Sequence, residues 1–272
     1  MTAVLGATAL AVAAAMFLLW LLSLARRDAS IVDIWWGPGF VWIAAVACAV
    51  GTGGDAPRRA LSLGLLALWG FRLGIYLFVR NHGAGEDYRY KAMRKRHGER
   101  FGLVSLATVF GLQGVLAWIV SWPVQVVHVS AGGPLGALDL IGVLLFATGF
   151  AFESIGDWQL ARFKADPANA GRVMDSGLWR YTRHPNYFGD TCVWWGLFAI
   201  ALATPAGRWT LLSPLLMSFL LLRVSGVPLL ERGLRKRRPG YAEYAERTSA
   251  FFPLPPRRRA TAAAAPTTPP RG

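Results

Sequence analysis

Apolar residues are gathered along the chain into long blocks that short polar segments separate. Seven blocks run roughly over 2–24, 34–51, 60–79, 103–122, 136–157, 190–204 and 209–230. The first five approach the ~20 apolar residues that a helix needs to cross about 30 Å of hydrocarbon, while the sixth is short. None alternates apolar and polar positions as a membrane-spanning strand does. The pattern predicts an all-α integral membrane protein, a bundle of seven transmembrane helices.

Composition supports this prediction. Hydrophobic residues make up 54% of the 272 residues and charged residues only 16%, where a soluble domain carries roughly 25% charged residues. We therefore expect one polytopic domain over 1–256, and the Ala/Pro/Thr/Arg-rich stretch 257–272 predicts a disordered tail. Cys48 and Cys192 lie in apolar stretches without metal-ligand spacing, so we expect neither a disulfide framework nor a metal site.

The net charge of +14 is concentrated in loops beside the apolar blocks, which argues against a nucleic-acid partner. The stretch 80–100 is strongly basic, whereas 123–138 holds no Lys or Arg. Arg26 and Arg27 follow the first block, so it is predicted to be a helix with its N-terminus outside rather than a cleaved leader. The positive-inside rule places these segments in the cytoplasm: 25–33, 80–102, 158–189 and the C-terminus.

Ionisable residues inside the apolar blocks are the first candidates for function. They are Asp33, Arg72, Glu153 and Asp157, and each costs a few kcal/mol unless it is paired or hydrated. Glu153 and Asp157 are four residues apart and share a helix face. Tyr76 lies four residues after Arg72, and a phenol near a cation can donate a proton to a carbonyl oxygen. The alternative is that these groups only pair or anchor at the membrane interface.

The segment 177–190, which reads GLWRYTRHPNYFGD, is the most informative stretch. Pro185 is predicted to separate a basic, aromatic turn from the sixth helix. Arg180 and Arg183 at a helix start suit a phosphorylated or sulfonium cofactor. A juxtamembrane loop on anionic lipid would account for the arginines but not for the polar residues within 186–190.

The segment 177–190 resembles the C-terminal signature of the steroid 5α-reductase superfamily, including its uncharacterised bacterial membrane branch. It also resembles an Arg-His-x-Asn-Tyr-x-Gly-Asp string of the sterol C14- and C7-reductases. Further similar stretches lie at 152–164, 239–244 and 251–253, and the resemblance covers about 28–256. These families are integral-membrane, NADPH-dependent reductases of carbon–carbon double bonds, so the resemblance implies that activity here.

The resemblance implies an NADPH site that is reached from the cytoplasm. Its members would be Glu153, Asp157, Arg162, Lys164, Arg180, Arg183, His184, Asn186, Tyr187, Asp190 and Tyr244. Glu153 stands where the reductases more often have Asn. Asp190 is one methylene shorter than the family's Glu, and Tyr244 is the terminal tyrosine that is expected to contact the cofactor.

The substrate side of the resemblance involves Tyr76, which matches the family's catalytic tyrosine, and Asp33, which matches the acid of a Gln-Glu pair. Val32 replaces the amide of that pair. The implied reaction passes hydride to the β-carbon of a conjugated alkene while Tyr76, polarised by Asp33, holds the carbonyl oxygen. An Asp33 kept neutral by an apolar cavity would serve as a hydrogen-bond donor. The residues expected to contact a steroid-like or other lipid enone are Trp35, Trp36 and Arg72.

Two other functions remain open. Membrane methyltransferases of the isoprenylcysteine carboxyl or phospholipid type share an Arg-His-Pro-x-Tyr-x-Gly string. They also have a C-terminal Glu…Tyr…Tyr pattern, which Glu231, Tyr241 and Tyr244 satisfy, and they use S-adenosylmethionine. A non-catalytic lipid-binding membrane protein is the third possibility.

The remaining expectations concern the setting of the protein. The segment 86–90, Glu-Asp-Tyr-Arg-Tyr, looks typical of the bacterial branch and is assigned no role beyond a loop over the site. A composition rich in Arg, Ala and Gly suggests a bacterial inner membrane. We expect a monomer that acts on a hydrophobic substrate from the membrane lipid.

Overall fold

A computed structural model describes residues 1–224, 227, 231, 233–235 and 238–257 of the chain. Nearly all of the predicted disordered tail, and the end of the seventh apolar block, lie outside the described residues. Within the described residues the regular elements are helices, and one isolated bridge pairs Thr182 with Ser249. The prediction of an all-α fold is confirmed.

The helices follow the apolar blocks closely. In chain order they are α1 (Thr2–Arg26), α2 (Ile31–Val50), α3 (Ala56–Asn81), α4 (Tyr88–His97), α5 (Phe101–Ser105), α6 (Leu112–Val120), α7 (Trp122–Val127), α8 (Ala137–Ala165), α9 (Pro185–Leu202), α10 (Leu212–Phe219) and α11 (Tyr241–Arg247). Short 3₁₀ turns cover Gly98–Arg100, Pro167–Asn169, Gly177–Arg180 and Gly207–Leu211. Two π-helical turns, Leu106–Gly111 and Leu220–Val224, continue α5 into α6 and extend α10.

Five helical runs among the described residues are long and apolar enough to cross a membrane. They are Thr2–Arg26, Ile31–Val50, Ala56–Asn81, Tyr88–Val120 and Ala137–Ala165, and they correspond to the first five predicted blocks. The helices α9 and α10 occupy the sixth block and part of the seventh. A membrane crossing by these two, and the orientation of the bundle, stay predictions.

The chain divides into two compact units. The first contains Met1–Thr148 and Cys192–Ser218, and the second contains Gly149–Thr191 and Phe219–Gly272. The boundaries fall inside α8, inside α9 and before the last residue of α10, Phe219. The single domain predicted over 1–256 stays a prediction.

In the first unit, α2 and α3 approach each other backbone to backbone. A Cβ atom placed on Gly37 would lie 2.3 Å from the carbonyl oxygen of Gly70, so only glycine fits there. Phe40, Trp69 and Trp194 fill the adjacent core with fully buried rings, and the ring centroids of Phe40 and Trp194 are 4.6 Å apart. Small residues thus set the helix spacing and large aromatic rings fill the remaining volume.

A buried arginine anchors the start of α3. The Arg58 guanidinium is 1% exposed, and its Nε and Nη2 donate to the two carboxylate oxygens of Asp139 at 2.9 and 3.0 Å. Its Nη1 also donates to Asp55 at 2.5 Å. The carbonyls of Gly133 and Pro134 accept the remaining two bonds at 3.1 Å each. All five N–H groups of the side chain are therefore satisfied.

In the second unit, the segment 177–190 is joined to the C-terminal segment by hydrogen bonds. The Thr182 hydroxyl donates to the carbonyl of Phe251 at 2.8 Å, and the Tyr244 hydroxyl donates to the carbonyl of Trp179 at 2.5 Å. Within the helices, a Cβ on Gly189 would lie 2.5 Å from the carbonyl oxygen of Gly149. The predicted motif is thus part of a packed structure rather than a free loop.

We predict that Arg58→Met destabilises the protein far more than Arg59→Met. The first change leaves the buried Asp139 without its cation, which costs about 3–5 kcal/mol. Arg59 is half-buried, and its Nη2 donates to the carbonyl oxygen and to the sulfur of Cys48. Thermal unfolding midpoints of the two variants in one detergent measure the difference. Equal losses would show that the Asp139 pair is not what makes Arg58 important.

Candidate functional site

The predicted site residues separate between the two units. The predicted substrate-side residues, Asp33, Trp35, Trp36, Arg72 and Tyr76, all belong to the first unit. The predicted cofactor-side residues belong to the second: Glu153, Asp157, Arg162, Lys164, Arg180, Arg183, His184, Asn186, Tyr187, Asp190 and Tyr244. Each predicted set therefore lies within one unit, and its role stays a prediction.

Asp33, in the first turn of α2, is held by two donors from α4. The Tyr90 hydroxyl donates to Oδ1 at 2.7 Å, and Nη2 of Arg89 donates to Oδ2 at 2.6 Å. Both carboxylate oxygens accept hydrogen bonds, and one of them faces a guanidinium. The structure thus shows Asp33 as an acceptor from α4, and a neutral Asp33 that donates to a substrate stays a prediction. The phenol it binds is Tyr90 and not Tyr76.

Glu86 ties the loop before α4 to the loop before α2. Its Oε1 accepts from the backbone N–H of Ala29 at 2.9 Å, and Arg94 donates to both of its oxygens at 2.8 and 3.0 Å. Burial alone would raise the pKa of Glu86, but the bonds from Arg94 and Ala29 outweigh it and hold the pKa below its ordinary value. The segment 86–90, assigned no contact from the sequence, therefore positions the residue at the centre of the predicted site.

Tyr90 also meets an amide. The Gln113 side chain, on α6, donates to the Tyr90 hydroxyl oxygen at 3.2 Å. Val32, which replaces the amide of the family's Gln-Glu pair, is fully buried. The amide of Gln113, on α6, thus lies close to the Asp33–Tyr90 pair. This contact could not be predicted from the sequence, because Gln113 and Tyr90 are 23 positions apart.

Tyr76 lies among arginines on the surface of α3. The guanidinium carbons of Arg72 and Arg80 are 5.3 and 5.7 Å from the centre of its ring. The predicted proximity of Arg72 and Tyr76, four residues apart on one helix, is confirmed. Cations at this distance attract the ring face and stabilise negative charge that develops nearby.

The predicted substrate tryptophans lie beside an apolar groove between α1, α2 and α6. The groove is lined by Val12, Ala15, Met16, Trp35, Trp36, Gly39, Trp42, Ile43 and Ala117. The Trp36 ring also packs edge-on against Phe40, with centroids 5.2 Å apart. This lining contains only apolar side chains and indole rings, so it suits hydrocarbon and offers few polar contacts.

In the second unit, two helix ends bring polar residues together. Asp157 on α8 is 3% exposed and accepts from the amide of Asn186, in the first turn of α9, at 3.3 Å. Glu153, one turn earlier on α8, is 4% exposed. The predicted face that Glu153 and Asp157 share is thus buried, and Asn186 lies against its Asp157 end.

Arg183 and His184 are bound to Glu231. Nε of Arg183 donates to Oε1 of Glu231 at 2.8 Å, and Nε2 of His184 lies 3.2 Å from the same oxygen. Nη1 of Arg183 donates to the carbonyls of Ala245 and Thr248 at 2.7 and 2.6 Å. The Arg183 guanidinium, predicted as a phosphate contact, is thus largely used in joining the motif to the C-terminal segment.

The titration of Glu231 reflects these contacts. Burial by itself would raise the pKa of Glu231, but the hydrogen bonds with His184 and from Arg183 outweigh it and hold the pKa at about 2. Burial is also the main cause that raises the pKa of Tyr241 to about 12. Tyr244 is shifted in the same direction. The cluster keeps the carboxylate charged and the phenols neutral near pH 7.

The other predicted cofactor contacts differ in exposure. Arg162, Lys164 and Arg180 are exposed, and the Arg162 guanidinium lies 5.7 Å from the ring centre of Trp158. Tyr187 is stacked on the His184 ring, with centroids 5.3 Å apart. The exposed cations are suited to phosphate oxygens, whereas the stacked pair supports the turn into α9.

We predict that Glu231→Gln removes much more stability near pH 7 than near pH 2. A carboxyl whose pKa falls from 4.5 to about 2 on folding contributes on the order of 3 kcal/mol above pH 4.5. That contribution is lost as the pH falls toward 2. The check is the unfolding midpoint of wild type and variant across this pH range, with exposed Glu246→Gln as control. A difference that does not shrink in acid would contradict the assignment.

Comparison with known proteins gives a family but no activity. No curated protein and no solved structure matches the chain. Residues 19–248 match the family model described as a protein of unknown function, DUF1295. This match includes every predicted site residue and extends over most of the chain. The protein belongs to the DUF1295 family of helical membrane proteins.

Proposed function

We propose that the protein is a membrane-embedded, NADPH-dependent reductase of a carbon–carbon double bond in a hydrophobic substrate such as a steroid-like or other lipid enone. The observation that carries the proposal is the carboxylate of Asp33, which is fixed by Tyr90 and Arg89 at the start of the helix that also carries Trp35 and Trp36. A carboxylate fixed at this end of the substrate-side helix can position the groups that act on a carbonyl, and a methyltransferase does not require it.

Tyr76 and Tyr90, both in the first unit, are suited to different tasks. Tyr90 donates its proton to a carboxylate, so that proton is held in place and the pair serves to position α4 against α2. Tyr76 lies beside the guanidinium groups of Arg72 and Arg80. These cations stabilise negative charge on a phenol oxygen or on an enolate. We therefore assign proton donation to Tyr76 and charge stabilisation to Arg72.

The second unit has side chains that fit a dinucleotide phosphate. Arg162, Lys164 and Arg180 are exposed cations, and these would contact the phosphates. Asn186 and Asp157 form a polar pair at the start of α9 and would orient the polar part of the cofactor. When bound, NADPH supplies the hydride that reduction of the alkene requires.

One observation supports a second candidate, an S-adenosylmethionine-dependent membrane methyltransferase. The side chains of Arg183 and His184, which begin the motif, are bound to Glu231. Tyr241 and Tyr244 follow on α11, and their rings pack edge-on with centroids 5.8 Å apart. The methyltransferase pattern named from the sequence is therefore assembled in space. Arg183 and His184 are bound to Glu231, and Tyr241 and Tyr244 are buried, so these side chains are equally suited to a purely structural role.

We predict that detergent-purified protein binds NADPH with at least about tenfold preference over NADH and S-adenosylmethionine. Arg162, Lys164 and Arg180 offer three cations, and each phosphate contact strengthens binding through charge-assisted bonds. Calorimetric titration with the three ligands measures this. Binding of S-adenosylmethionine alone would support the methyltransferase hypothesis. Binding of none of the three ligands would support a non-catalytic lipid-binding protein.

We predict that Tyr76→Phe and Asp33→Asn each reduce NADPH oxidation about 100-fold with an enone substrate, because the first removes the assigned proton donor and the second weakens the bonds that hold α4 against α2. The dissociation constant for NADPH should stay within about twofold of wild type, since both residues lie outside the second unit. Tyr88→Phe, an exposed phenol next to Arg89, is the matched control. Full turnover by Tyr76→Phe would remove Tyr76 from the mechanism.

A further inference from the structure

Exposed cations surround the start of α5. Arg26 and Arg27 end α1, Lys95 and Arg96 lie in the last turn of α4, and Arg100 directly precedes α5. All five side chains are exposed. Within the described part of the chain, no ion pair joins any of them to an acidic side chain. We call these five residues the basic face.

Contacts within the first unit place α1 and α4 at the same end of α5. The Trp20 indole of α1 donates to the carbonyl of Gly102 at 2.8 Å. The Arg94 guanidinium of α4 lies 4.5 Å from the ring centre of Phe101. The cations that follow Trp20 on α1 and Arg94 on α4 therefore lie near the start of α5, where the apolar part of the run Tyr88–Val120 begins.

The helix α4 uses its arginines in two ways. Arg89 and Arg94 are bound to the carboxylates of Asp33 and Glu86, so their charges are neutralised inside the protein. Lys95 and Arg96 in the same helix have no such partner among the described residues. Arg89 and Arg94 are thus paired with acidic side chains of the protein, whereas Lys95 and Arg96 remain exposed without an acidic partner among the described residues.

The end of α1 has a feature that points the same way. Arg27 has a φ of 52°, in the left-handed region where glycine is the favoured helix cap. A side chain in this conformation costs about 1 kcal/mol. Arg27 is charged and exposed at this strained position. A binding partner outside the chain would account for a charged residue there.

We propose that the basic face is a binding site for the headgroups of anionic phospholipids. The argument is charge complementarity: five uncompensated cations lie beside the start of a membrane-length run, and anionic headgroups lie at that depth of a bilayer. Trp20, partly exposed near this end of α1, is of a residue type that is enriched where hydrocarbon meets headgroups. The site does not depend on the reductase proposal, since none of its residues belongs to the proposed catalytic or cofactor groups.

The test compares lipids that differ only in headgroup. Native mass spectrometry of the full chain in detergent, titrated with dioleoyl phosphatidylglycerol or dioleoyl phosphatidylcholine, gives the affinity for each. We expect phosphatidylglycerol to bind more tightly. The triple variant Lys95→Gln/Arg96→Gln/Arg100→Gln should weaken phosphatidylglycerol binding on the order of 100-fold, because three charges near the membrane surface are removed, and leave phosphatidylcholine binding unchanged.

A matched control removes the same charge elsewhere: Arg257→Gln/Arg258→Gln/Arg259→Gln should retain wild-type affinity. Unfolding midpoints in zwitterionic detergent show whether each variant is folded; if the triple variant is not, Arg26→Gln/Arg100→Gln replaces it, with an expected loss of at least about tenfold. Equal loss in the control, or unchanged binding in the basic-face variants, would overturn the proposal. Displacement of phosphatidylglycerol by inorganic phosphate would also overturn it and indicate a free-phosphate site.

Discussion

A charge beside apolar helices must be neutralised, and this constraint decides how the loops of the protein are tied to its helices. Asp33 at the start of α2 is neutralised from α4, and Arg58 at the start of α3 is neutralised from α8. Arg183 before α9 is neutralised by Glu231. Each pair joins a helix end to a segment that is distant in sequence. Removing one partner would leave the other charge without its counter-ion, which costs stability.

The same constraint separates structural from functional side chains. Glu86, Arg94, Arg183 and Glu231 are bound within the protein, and their contacts account for them fully as supports. Tyr76 lies beside the guanidinium groups of Arg72 and Arg80, and proton donation by its phenol is a proposal. The proposed chemistry therefore depends on few groups, held in place by a larger set of charges that take no direct part. Resemblance to a motif does not distinguish these two sets, whereas their contacts do.

The sequence predicted the helices well, because long apolar blocks have few structural outcomes in lipid. It also predicted that Arg72 and Tyr76 are neighbours, since four residues along a helix bring side chains together. It did not predict that Tyr90 binds Asp33, because the two are 57 positions apart and only packing brings them together. Nothing in the sequence marked Arg58 as buried. The bond between Arg183 and Glu231 could not be predicted either, because it depends on where the C-terminal segment lies.

The Arg58 network also bears on how the protein is made. Asp139 follows Arg58 by 81 positions, so during synthesis from the N-terminus the cation emerges long before its main partner. Until α8 is inserted, Asp55 is the nearby acid that can neutralise it. The start of α3 therefore reaches its final depth only after more than half of the chain has been synthesised, and a truncated chain that ends before α8 would carry a charge with no permanent place in the bilayer.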